Sequence, residues 1–150
     1  MTLENLLAIH RLQAFEATSS GVLRLLASAE RNLADARLTE LSNDNRFDTA
    51  YKTIMQCAMI GLWANGFRTA TSQPGHHQTA LQTLPKTLGM AADTVIILDA
   101  LRKQRNLNDY EGDSVADAAV RECLAQADAI LAHTRQWLQS HRPDLLNENH

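Results

Sequence analysis

Two cysteines, three prolines and six glycines are all that this 150-residue chain holds of those types. Cys57 and Cys123 both fall inside helical, mostly apolar patterns, which argues against a disulfide framework and for buried thiols. So few prolines and glycines leave too little turn chemistry for a β-rich fold. Aromatic residues make up 5%, and valine and isoleucine are sparse, which removes the usual strand formers. Basic charge is not in excess either. A formal net charge of −3 excludes a globally basic nucleic-acid surface, so an anion site would have to be a local patch. No run approaches the roughly 20 apolar residues of a spanning helix. The opening M-T-L-E-N-L-L-A-I-H lacks the basic start and long apolar stretch of a secretory signal. A cytoplasmic protein with no membrane partner is expected.

What the chain does have is alanine and leucine, with 45% hydrophobic and 21% charged residues overall. That composition is globular and helical. One domain over residues 1–150 is expected, with its core at about 19–140 and a fraying polar tail at 143–150. Leu3, Leu6 and Leu7 mark a short amphipathic segment within residues 3–15. Thr18-Ser19-Ser20 then supplies capping hydroxyls for a helix over 19–40, whose Val22, Leu26, Ala29, Leu33 and Ala36 recur at four, three, four and three. Ser42-Asn43-Asp44-Asn45 opens a second helix, 45–65, apolar around more than one face and therefore central. Asn65-Gly66 stops it. A short third helix after Gly75 should end or bend at Pro85. Helices over 94–107, capped by Asp93 or Thr94, and over 115–140 complete the pattern. The last carries Ala116, Ala119, Cys123, Ala127, Ile130, Thr134, Trp137 and His141 on its inner line. The fold class expected is all-α, an up-and-down bundle of four to five helices with no sheet.

The chemically richest stretch runs from Thr94 to Gly112, T-V-I-I-L-D-A-L-R-K-Q-R-N-L-N-D-Y-E-G. Leu98, Leu101 and Arg105 share one face, so Arg105 stands where a further apolar residue belongs, and a charge there needs a partner or an anion. Asn106, Asn108, Asp109 and Tyr110 follow where that helix is expected to stop. Arg102 and Lys103 read as solvated charge at a helix C-terminus, where cations favour the dipole. His76 and His77 read as exposed histidines at a helix start, since adjacent positions point apart and make poor joint ligands. His10, His133, His141 and His150 are isolated. No metal site, phosphate loop, nucleophile elbow or cofactor signature is present. Trp63 and Trp137 read as core or dimer-face residues.

Two pieces together carry a family likeness: R-F-D-T-A-Y-K-T-I-M-Q-C-A-M-I-G-L-W-A-N-G-F-R with the later P-G-H-H, and L-R-K-Q-R-N-L-N-D-Y-E-G before a long alanine-rich helix. Over about residues 20–140 the chain resembles the HEPN superfamily (higher eukaryotes and prokaryotes nucleotide-binding). The resemblance implies a helical homodimer that binds RNA or a nucleotide. It also implies a setting in a toxin–antitoxin pair with a nucleotidyltransferase antitoxin partner, or in phage defence. Active members cleave RNA without metal, using an arginine, usually followed by a polar residue, and a histidine beyond four to six intervening residues. Arg105-Asn106 matches the first half. The positions for the histidine hold Tyr110, Glu111 and Gly112, and the next histidine is His133. The site expected is thus Arg102, Arg105, Asn106, Asp109 and Tyr110, in a binding module of RNA, nucleotide or a partner protein. One alternative is a metal-independent ribonuclease toxin using Arg105 and Tyr110, although a phenol of ordinary pKa near 10 is a poor base at neutral pH. The other is a non-catalytic scaffold bundle.

Overall fold

The protein is seen in a computed structural model that describes residues 2–112 and 114–147, the side chains of Tyr110 and Glu111 excepted. His150 and the end of the expected tail lie outside the described residues. The fold is an all-α helical bundle with one small two-stranded sheet. In chain order come α1 (Leu3–Ala8), β1 (Leu12–Ala14), α2 (Ser19–Ala36), α3 (Asn43–Ala64) and β2 (Phe67–Thr69). Then follow α4 (His76–Gln82), α5 (Leu84–Thr87), α6 (Ala92–Glu111) and α7 (Asp117–His141), and a 3-10 turn at Pro143–Leu146. Among the described residues, the four long helices are α2, α3, α6 and α7.

Capping sets where the first two long helices begin. Thr18 accepts a hydrogen bond from the Gly21 amide at 3.0 Å, and Ser42 accepts from Asn45 at 3.2 Å. The stripe on α2, Val22 through Ala36, is buried as its spacing requires. It packs on α3, which also packs on α7, while α4, α5 and α6 lean on α3 from the remaining side. Buried residues therefore occur all round α3, Phe47, Tyr51, Ile54, Cys57, Ala58, Ile60 and Leu62 among them. The wide apolar surface of this central helix is thus consumed within one chain. Asn65 closes α3, its amide donating to the Gly61 and Thr87 carbonyls at 2.7 and 3.1 Å.

Several expectations need correction. A sheet exists: β1 and β2 pair antiparallel, with Leu12 opposite Thr69, and bury Leu12 over the end of the bundle. The helix expected to stop at 107 continues to Glu111, and Gly112, at φ 70, provides the left-handed residue that ends it. Its N-cap is Ala91 rather than Asp93 or Thr94. On α7 the buried line is Val120, Cys123, Ala127, Ile130, Leu131, Thr134 and Leu138, so Trp137 sits to one side, stacked on His141 with ring centres 4.6 Å apart. The segment after Pro143 is held down, because Leu145 is buried and Arg142 donates to the Ala64 carbonyl at 2.6 Å. Cys57 and Cys123 are free thiols in the core, both pushed up to about 12 by burial. Among the described residues, no helix is long and apolar enough to cross a membrane.

Candidate functional site around Arg105

Leu98 and Leu101 anchor α6 in the core. Arg105, one turn further on the same face, is carried to the edge of that core against α3. There Asp48 and Tyr51, three residues apart on α3, receive it from two sides. The Nε group donates to Asp48 Oδ1 at 2.8 Å, and the guanidinium carbon lies 5.2 Å from the centre of the Tyr51 ring. That second contact is a cation–π arrangement. Burial works against the arginine's charge, but the Asp48 hydrogen bond and charge, helped by Asp109 and Tyr51, outweigh it and hold the pKa above its usual value.

Tyr51 is buried, and burial pushes its phenol up to about 12 against the opposing pull of Arg105 and Arg102. The phenol is therefore a proton donor at neutral pH. Its oxygen lies 3.4 Å from His77 Nδ1, at the outer edge of hydrogen-bond distance. His77 comes from α4, whose first residue follows Gly75 at φ 75, a backbone angle glycine adopts without strain. Burial lowers the His77 pKa, and His76, Arg105 and Arg102 lower it further. The imidazole is neutral at pH 7 as a result. His76 meets it edge-on, with ring centres 4.7 Å apart.

Asp48, Tyr51, His77 and Arg105 share a cavity of about 420 Å³ between α2, α3, α4 and α6. Leu25, Met55 and Met59 give it an apolar wall, while Asp48, Lys52, His77 and Arg105 stand at its polar side. A smaller cavity of about 160 Å³ lies on the other side of Arg105 and Asp48, and Asn108 and Asp109 line it. The Asn108 amide nitrogen is buried there with no hydrogen-bond partner among the described residues. A planar, two-edged cation beside a phenol, a neutral imidazole and an unsatisfied amide can hold a phosphate or carboxylate and exchange hydrogen bonds with its surroundings.

The residues expected at the site are thus only partly brought together. Arg105 and Asp109 share the smaller cavity. Asn106 is exposed on another side of α6. Arg102 is not solvated: its side chain is 16% exposed against 31% for Arg105, and its Nε donates to Asp99 at 2.8 Å. Burial opposes the Asp99 charge, yet the hydrogen bonds from Arg102 and Lys103 win and its pKa is lowered. The Tyr110 side chain lies outside the described residues. The phenol seen against Arg105 is Tyr51, and the histidine near it is His77, not an exposed cap. Tyr51 and His77 are 26 positions apart, and neither lies in the R-N-x-x-D-Y element. Among the described residues, no three His, Cys, Asp or Glu side chains gather so as to hold a metal ion. No protein-family model matches the chain, and no curated protein matches it.

Proposed function

We propose that the protein is a HEPN-like cytoplasmic module that binds single-stranded RNA or a nucleotide through the Arg105 cavity, within a bacterial toxin–antitoxin or phage-defence system. The observation that carries this reading is Arg105 itself. It is fixed by Asp48 and the Tyr51 ring at the mouth of a cavity with one apolar wall. A base fits the apolar wall, and its phosphate fits the guanidinium fork. The module works as a two-fold homodimer, with a nucleotidyltransferase as antitoxin partner. Since α3 is consumed within the chain, the second copy docks on the outer face of α6, where Ile96, Ala100 and Leu107 are exposed. Arg105 is nine residues from Ile96, half a turn round the helix, so each copy keeps its own cavity.

Fluorescence anisotropy with a short single-stranded RNA at low salt tests the reading. Arg105→Lys keeps the charge but loses the fork, and affinity should fall about tenfold or more, since a charge-assisted hydrogen bond is worth about 1.5–3 kcal/mol. Equal affinity of the variant and the wild type removes the site and leaves the scaffold reading.

One observation favours the ribonuclease alternative in altered form. His77 is a neutral imidazole in the same cavity as Arg105. It would take the proton of a 2′-hydroxyl as that oxygen attacks phosphorus and the 5′-oxygen leaves, with Arg105 beside the developing charge. Intact RNA after long incubation with wild type, no metal added, rejects cleavage while leaving binding in place.

A further inference from the structure

A third cavity, about 510 Å³, is lined by α1, by Arg11 just before β1, and by α4 with α5. Its chemistry is different. Leu3, Leu6 and Pro85 give it apolar walls, and Gln78 and Gln82 offer amides from α4. The charged groups lining it are Arg11 and Lys86, with no carboxylate. That is unusual in this chain, where acidic residues outnumber Lys and Arg by 17 to 14. Six cations elsewhere find acids: Arg37 pairs with Asp128, Arg102 and Lys103 with Asp99, Arg105 with Asp48, Arg135 with Glu30 and Arg142 with Asp144. Among the described residues, Arg11 and Lys86 have no ion-pair partner.

Arg11 is also held in place. Its amide donates to the Leu6 carbonyl at 2.9 Å, and its carbonyl accepts from Ala70 at 3.1 Å, which ties it to the start of the sheet. The residue before it, His10, takes φ 63, the only non-glycine with positive φ among the described residues. A strained turn followed by two backbone clamps fixes the point from which the Arg11 side chain departs toward the cavity. Lys86 arrives from α5, 75 positions after Arg11, so two like charges from distant parts of the chain line one half-apolar space.

We propose that this cavity binds a small amphiphilic carboxylate, such as a short acyl chain. Its head lies between Arg11 and Lys86, its body rests on Leu3, Leu6 and Pro85, and Gln78 and Gln82 donate to the carboxylate. An anion placed in the cavity is attracted by both cations, and the apolar walls take its body. The volume falls within the range of ordinary small-molecule sites. The site is separate from the Arg105 cavity and does not depend on its function.

Isothermal titration with octanoate, acetate, octylammonium and octan-1-ol tests it on the full chain. Octanoate should bind. Acetate, which lacks the body, and octylammonium, which carries the wrong charge, should give no measurable heat, and the alcohol should bind at least about tenfold more weakly. Arg11→Gln and Lys86→Gln each remove one exposed charge and should each weaken octanoate about tenfold, with helical content unchanged by circular dichroism. Arg105→Lys should bind octanoate like wild type. No binding of octanoate at millimolar concentration overturns the proposal, as does equal binding of octylammonium. Wild-type affinity in both Arg11→Gln and Lys86→Gln overturns it too, and so does loss of octanoate binding in Arg105→Lys.

Discussion

Asp48 is both the residue that holds Arg105 and the negative charge any incoming phosphate must face, and the two roles make opposite predictions for Asp48→Asn. As a holder, Asp48 contributes little. The ion pair is 31% and 51% exposed on its two sides, and exposed pairs are worth about 0.2–1 kcal/mol. Stacking of the guanidinium on Tyr51 remains in the variant and keeps its position. As a competitor, Asp48 matters more. A phosphate on Arg105 would lie roughly 6 Å from the Asp48 carboxylate, and two like charges at that distance repel by about 0.7 kcal/mol in water and about 2.8 kcal/mol at an effective dielectric of about 20. Asp48 is half exposed, so a figure near 1 kcal/mol applies, which is about fivefold in affinity. Asp48→Asn should therefore bind short single-stranded RNA about fivefold more tightly in anisotropy at low salt, while its melting temperature falls by no more than roughly 2–4 °C. The gain should shrink as salt is raised and vanish in an Arg105→Gln background. Weaker binding by Asp48→Asn, or an unchanged gain without Arg105, would refute the reasoning.

Gly61 lies where a methyl group would come within 2.9 Å of both Leu88 Cγ and Thr87 Oγ1, two buried side chains. Overpacking there costs about 1–3 kcal/mol and helix propensity returns about 1, so Gly61→Ala should melt below wild type; a higher melting point contradicts the close packing of α3 on α5. His77 has a folded pKa below its unfolded value, so the unfolded chain binds the proton more readily and stability falls as pH drops below about 6.5. His77→Gln should flatten denaturant midpoints between pH 7 and pH 5, and an identical slope in both proteins would reject the buried neutral imidazole. Cys57 and Cys123 are buried with raised pKa values, so neither should react with a thiol reagent at pH 8 until denaturant is added; a fast-reacting thiol in the native protein contradicts the packing.

The parts legible in the sequence are those whose cause is local. The stripe from Val22 to Ala36 is fixed by helical period, and Thr18 and Ser42 act within three residues of themselves. Arg105 was legible for the same reason, through its place after Leu98 and Leu101. The strands were not, because each has three residues, too few to show alternation, and Gln13 meets Arg68 across 55 positions. The end of α6 was misplaced because Asn106, Asn108 and Asp109 are weak helix formers, and only Gly112 terminates the backbone. Asp48, Tyr51 and His77 were missed as site residues because no spacing rule links α3 to α4. Their meeting depends on how both helices pack, which the sequence leaves open. Arg102 is drawn out of solvent by Asp99, three residues before it on the same face of α6, a spacing that allows an ion pair without requiring one.

If Arg105, Tyr51 and His77 form one ligand site, NMR of the histidine ring nitrogens during titration with a uridine dinucleotide shows it most directly. The His77 signals should move in proportion to occupancy, while those of His133, whose Nε2 lies 2.6 Å from the Leu88 carbonyl beside a different cavity, should stay in place. The same titration of Arg105→Lys should leave His77 nearly still. Saturating shifts at His133 with none at His77 would place the ligand elsewhere and contradict the account.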